Sequence, residues 1–287
     1  MGGAAHTAAV TAGALPARPE VLAALGGLGV GYAFGWWRLR RRAPAAAPAW
    51  RALAAGVALG AVALALAPPL DRAAHARFAG HMVQHLLLVT VAGPVWLLAD
   101  PCPPLLWSAP RRLRRALGAL VAPGTPGRRL LRAMTALPPA WLLSGAALWA
   151  WHVPAAYEAA LARGWLHDLQ HLSLTAAAML FWWPVIRPAP RVRPAAPGAF
   201  RVVYLLLGAL ANAGLGLAFV LLPRALYAPY ARSLTPEQAL EDQVLGGLLM
   251  WGWSGAVDML ALLLLVRHVL AEPGRRAATL RAELPRP

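Results

Sequence analysis

Two stretches of this chain place paired histidines four residues apart: "HMVQHLLLVTVAGP", beginning at His81, and "HDLQHLSLTAAAML", beginning at His167. On an α-helix, residues i and i+4 share one face, about 6 Å apart along the axis. Imidazoles so placed, His81 with His85 and His167 with His171, can reach one metal ion. Copper and zinc both accept imidazole nitrogen. Gln84 and Gln170 precede the second histidine of each pair and are expected to orient it by hydrogen bonding. "WAWHVP" adds His152, and "EDQVLGG" adds Glu241, Asp242 and Gln243. Asp242 has three readings: a ligand, a partner for a histidine N–H, or an acid favoured near a helix start by the dipole. On residue chemistry the expected metal ligands are His81, His85, His152, His167 and His171, with Asp242 left open among its three readings.

These residues need a scaffold, and the composition says which kind. Charged residues are 13% of the 287, and 59% are hydrophobic. Soluble domains carry about 25% charged residues. The chain is therefore expected to be an all-α, polytopic membrane protein. Seven stretches approach the roughly 20 apolar residues that a crossing needs: residues 20–37, 50–68, 80–99, 137–153, 166–186, 201–222 and 243–267. All 27 basic residues are arginines, and 21 of them fall in the connections 38–51, 100–136, 187–201 and the tail from Arg267. The other side carries Arg18, Arg72, Arg77, Arg163, Arg224 and Arg232. The positive-inside rule then puts the N-terminus outside and the C-terminus in the cytoplasm. This also explains the net charge of +16 without nucleic acid. With that topology, all five paired or terminal histidines and Asp242 sit at one depth, at the outer helix ends. His75 lies in the adjoining outer loop, His6 in the outer tail and His268 on the cytoplasmic side.

The organisation expected is a short outer tail (1–19), one seven-helix membrane domain (20–267, with 101–136 a cytoplasmic loop holding one short amphipathic helix), and a cytoplasmic tail (268–287). No cleavable signal is evident in the first nineteen residues. Trp36, Trp37, Trp50, Trp96, Trp182 and Trp183 at inner helix ends, and Trp149, Trp151 and Trp165 at outer ends, are expected to form an interfacial belt. Gly27, Gly31 and Gly35, and likewise Gly208, Asn212 and Gly216, are small-residue stripes suited to close helix packing. Met82 adjoins His81 but points to a different part of the helix surface, and Met250 and Met259 are expected to pack, with Cu(I) ligation as the other reading of a thioether. Asp258 is expected to pair with an arginine such as Arg267. The single cysteine, Cys102, lies at the cytoplasmic edge, away from the histidines, and excludes a CxxC motif. No broken helix or polar file through the bilayer is evident.

The segments "HMVQHLLL", "WHVPAAYEAAL", "LHDLQHLSLTAAAMLFWWPV" and "EDQVLGGLLMW" resemble, in order and spacing, the signature segments of the CtaG-like family of seven-helix bacterial proteins. The resemblance runs from about residue 50 to about residue 267. It differs from the cysteine-dependent single-span copper chaperones that share the CtaG name. It implies a role in maturing a haem-copper oxidase, delivering or holding copper without catalysis. The site would be His81, His85, His152, His167, His171 and Asp242, in the bacterial inner membrane. Oxidase subunits, a periplasmic copper donor and a second copy of the chain are the partners considered. Two other functions fit the residue chemistry. One is a zinc-dependent membrane hydrolase acting on lipid, although there is no HExxH. The other is a haem protein with His85 and His171 as axial ligands.

Overall fold

The computed structural model describes residues 19–283, with side chains described to residue 271. The described residues form helices and no strand. In chain order these are α1 (Pro19–Arg42), α2 (Ala49–Ala65), α3 (Pro68–Ala76), α4 (Phe78–Leu98), α5 (Cys102–Ser108), α6 (Arg111–Leu120), α7 (Pro126–Met134), α8 (Leu137–His152), α9 (Pro154–Ala162), α10 (Gly164–Ile186), α11 (Gly198–Leu221), the single turn α12 (Ala228–Ala231) and α13 (Pro236–Glu283). The expected cytoplasmic loop 101–136 holds three helices rather than one, because Pro110 and the Gly124 turn (φ 86°) only interrupt it. The last span extends well beyond the expected 243–267 at both ends.

Among the described residues, five helical stretches are long and apolar enough to cross a membrane: Pro44–Ala65, Phe78–Leu98, Gly164–Ile186, Gly198–Leu221 and Pro236–Ala271. Their outward faces carry Leu53, Leu172, Leu210, Leu221, Leu260 and Leu263, each more than half exposed. Apolar surface on this scale is a lipid-facing surface, not that of a water-soluble monomer. The other two expected spans are α1 and α8. In α1, Glu20 and four arginines leave a short apolar stretch between charged ends. Helix α8 has 16 residues, about 24 Å long, against a hydrocarbon core of about 30 Å.

Close approach is built from small residues. Helices α11 and α13 meet at Gly216 and Gly247, where a Cβ on either would come within 2.9 or 2.7 Å of the other's carbonyl oxygen. Gly35 of the first stripe lets α1 cross α5 at the Pro104 carbonyl, whereas Gly27 has nothing within 4 Å. The end of the bundle away from the histidines is tied by Asp100, which takes a left-handed backbone (φ 51°). Its carboxylate accepts from Arg51 (3.0 Å) and from the Ala189 amide (2.7 Å).

Two helix starts matter for the site. Helix α13 opens with a capping box, in which Thr235 and Gln238 each accept from the other's amide. Helix α4 follows an extended Arg77 and has no side-chain cap of its own. Midway, α4 widens into a π-helical segment over Leu87–Ala92, with the Gly93 amide bonded to the Leu88 carbonyl five residues back. Pro94 supplies the cause, since it has no N–H to offer the turn before it. The span expected to be unbroken is therefore irregular at its centre.

Candidate metal centre

Helices α4, α8 and α10 deliver five buried histidines to one place. His81 and His85 lie in the first two turns of α4, His152 closes α8, and His167 and His171 open α10. Potential ligand nitrogens of His81, His85 and His171 all lie within 4.8 Å of one another. The His81 Nε2 is 2.9 Å from His85 Nε2 and 3.3 Å from His167 Nε2. For metal–nitrogen bonds of 2.0–2.1 Å, two ligands are about 2.9 Å apart at a right angle and about 3.3 Å apart at a tetrahedral angle. The spacing thus fits nitrogens around one ion. His152 stands one layer away, its ring 6.1 Å from that of His85. His75, on α3, presents its ring 5.4 Å from His167 and is the exposed member of the group.

A hydrogen-bond chain fixes which His81 nitrogen faces the cluster. Tyr230 donates its hydroxyl proton to the Ala74 carbonyl (2.9 Å). Its oxygen can then only accept, from the Tyr157 hydroxyl and from His81 Nδ1, each at 3.2 Å. His81 is therefore the Nδ1–H tautomer, with its Nε2 lone pair aimed at His85 and His167. Burial pushes the Tyr227 and Tyr230 hydroxyls above the ordinary phenol range, so both remain neutral. His152 is fixed in the same sense. Its Nδ1–H donates to the Leu148 carbonyl at 2.7 Å, and its buried Nε2 has no hydrogen-bond partner. A desolvated nitrogen lone pair of this kind is costly until a proton or cation meets it.

Asp242 is not among the imidazoles. Its two oxygens accept from the Phe78 amide (2.6 Å) and the Ala79 amide (3.3 Å), the first turn of α4. Of the three readings open in the sequence, this geometry matches the helix-start acid, with the acid on α13 and the helix start on α4. Gln243 beside it accepts from the Leu226 amide (2.6 Å) and so anchors the outer loop. Glu241 is exposed.

The glutamines correct the sequence expectation. Gln84 donates to the Ala65 carbonyl (2.8 Å) and to Asp71 (3.3 Å), tying α4 to α2 and α3, not to His85. The side chain of Gln170 is fully buried and makes no hydrogen bond. Each lies one residue before the second histidine of its pair and so points to a different part of the helix surface from that histidine. Asp258 likewise bonds Asn212 rather than Arg267, which is exposed. Met82 lies in the core cluster with Phe78 and Tyr157 beside the site.

The tyrosines were missed. Three of the five in the chain, Tyr157, Tyr227 and Tyr230, surround the histidines. Tyr157 and Tyr227 stack at 3.9 Å, and the Tyr227 hydroxyl donates to the His152 carbonyl at 2.9 Å. The one available signal was "LYAPYA", an aromatic pair in an outer connection. Replacing Tyr230 by phenylalanine is expected to free the His81 tautomer. Metal affinity, followed by competition with a chelator, should fall about 10- to 100-fold, while the binding stoichiometry stays unchanged.

Buried imidazoles brought together inside a bundle of apolar helices define a multi-pass membrane protein whose centre could hold a metal ion. The family model of the cytochrome c oxidase caa3 assembly factor (Caa3_CtaG) matches residues 30–272, and the chain belongs to that family. No curated protein and no solved structure shows a detectable match.

Proposed function

We propose that this protein is a non-catalytic assembly factor that takes up copper at the outer face of the bacterial inner membrane and passes it to cytochrome c oxidase. The observation that carries the reading is the buried all-imidazole cluster of His81, His85, His167 and His171, in a chain that belongs to an oxidase assembly family. Helices α1, α2, α4, α8, α10, α11 and α13 are the seven spans. The N-terminus is outside and the C-terminus inside, with 21 of the 27 arginines on the cytoplasmic side. The histidines then open toward the side from which copper arrives. His75, its side chain 43% exposed, is the first imidazole an incoming ion meets. An imidazole set holds copper or zinc without the closed thiolate cage of a structural site, so the cargo can leave again. The oxidase subunits are the receiving partners, and a periplasmic carrier is the donor.

The geometry gives the competing readings less support. A porphyrin between His85 and His171 would need room where their rings stand 5.2 Å apart, with His81 beside both. The adjoining cavity is only about 50 Å³. A hydrolase needs a base near the ion, and both oxygens of Asp242 are committed to amides.

The test is made in cells lacking the native gene and complemented with wild type or His171→Ala. The variant is expected to yield oxidase with its haem but with copper well below stoichiometric. Oxidase carrying its full copper complement would overturn the proposal.

A further inference from the structure

Beneath the histidine layer lies a second polar feature that the metal centre does not use. A cavity of about 70 Å³ in the middle of the bundle is lined by Thr90, Ser144, Asn212, Ser254 and Asp258 among apolar neighbours. It shares Thr90, Asn212 and Ser254 with the cavity of about 50 Å³ that reaches His85 and His152. A water needs about 10–15 Å³ of such space, so the lower cavity has room for a small ion and some of its waters. The π-helical segment of α4 contributes Thr90 to both cavities. Irregular backbone at membrane depth is typical of places where a ligand is held.

The donor set is all oxygen. Asp258 is 6% exposed, is hydrogen-bonded on one side to Asn212, and leaves its Oδ2 buried without a partner. Ser144 gives its proton to the Ala140 carbonyl at 2.7 Å, which leaves its oxygen lone pairs to the cavity. Thr90 does the same toward Leu86 (2.7 Å) and also accepts from the Trp253 indole (2.8 Å). No basic residue lines the cavity. An isolated carboxylate in the membrane interior is costly and calls for a counter-charge. Oxygen ligands select a hard cation over copper, and a single carboxylate balances one positive charge rather than two.

We propose that this cavity binds a small monovalent cation, sodium, between Asp258 and the Asn212, Ser254 and Ser144 oxygens. The site adjoins the histidine centre but takes no histidine as a ligand, so a sodium readout stands whether or not copper is the cargo. The experiment follows the melting temperature of the purified full-length protein in lipid nanodiscs. Sodium chloride is titrated against choline chloride at constant ionic strength and pH. Wild type is expected to rise saturably with sodium, and Asp258→Asn to lose that response. The variants Ser254→Ala and Asn212→Ala are expected to move the midpoint to higher sodium, which keeps the test intact if Asp258→Asn fails to fold. The His81→Ala/His85→Ala protein is expected to keep the wild-type sodium response. A wild type indifferent to sodium overturns the site. So does a response that survives in all three cavity variants, or an infrared carboxylic-acid band that vanishes in Asp258→Asn yet persists in wild type at saturating sodium, which would mean that a proton occupies the place.

Discussion

Replacing His81 and His85 together by alanine is expected to abolish copper binding, from about one ion per chain to background, as read by elemental analysis of the purified protein. These two imidazoles contribute the 2.9 Å nitrogen pair, and His81 alone also reaches His167 at 3.3 Å. Loss of a single outer-sphere partner costs about 10- to 100-fold in affinity, so removal of two ligands should exceed that range. Cys102→Ser serves as the matched control. That thiol opens α5, beyond the end of α4 away from the histidines and near Asp100, and its replacement should leave copper binding unchanged. Retention of one tightly bound copper in the double variant would place the centre elsewhere.

The second large effect is expected from Asp242→Ala. Two charge-assisted hydrogen bonds disappear and the first amides of α4 become orphans inside the bundle. Hydrogen bonds to charged groups contribute about 1.5–3 kcal/mol each, so a loss of about 3 kcal/mol or more is expected in a reversible unfolding assay in lipid. Because α4 carries His81 and His85, affinity for copper should fall as well. Asp242→Asn keeps one acceptor and should lie between alanine and wild type in both readouts. X-ray absorption at the copper edge separates this clamp from direct ligation. If Asp242→Asn removes an oxygen from the copper shell while stability is unchanged, Asp242 is a ligand and the clamp reading fails.

Much of this centre was legible because helical spacing is local. The i, i+4 pairs of His81/His85 and His167/His171 fix their common faces before any tertiary information exists. Where the chain departs from the reading, the cause is non-local. Adjacency in sequence points Gln84 and Gln170 at histidines, yet Gln84 turns to a carbonyl on α2. Charge alone matches Asp258 to an arginine such as Arg267, although Asn212 on a different helix is its hydrogen-bond partner. The tyrosines escaped because Tyr230 meets His81 across 149 residues and its order depends on a backbone carbonyl of α3. The π-segment of α4 had one local cause, Pro94, whose usual reading is a kink or a break.

The clamp between Asp242 and α4 also has a consequence for biogenesis. Phe78 and Asp242 are 164 residues apart, and Tyr230 reaches Ala74 across 156. During synthesis, α4 therefore enters the membrane with its histidines long before the residues that fix its first turn and its tautomer have been made. A nascent chain can present imidazoles but not the finished geometry. On the copper-handling role proposed above, high-affinity capture would wait until the last long helix is inserted, and a truncated product from a stalled ribosome would be a poor thief of copper.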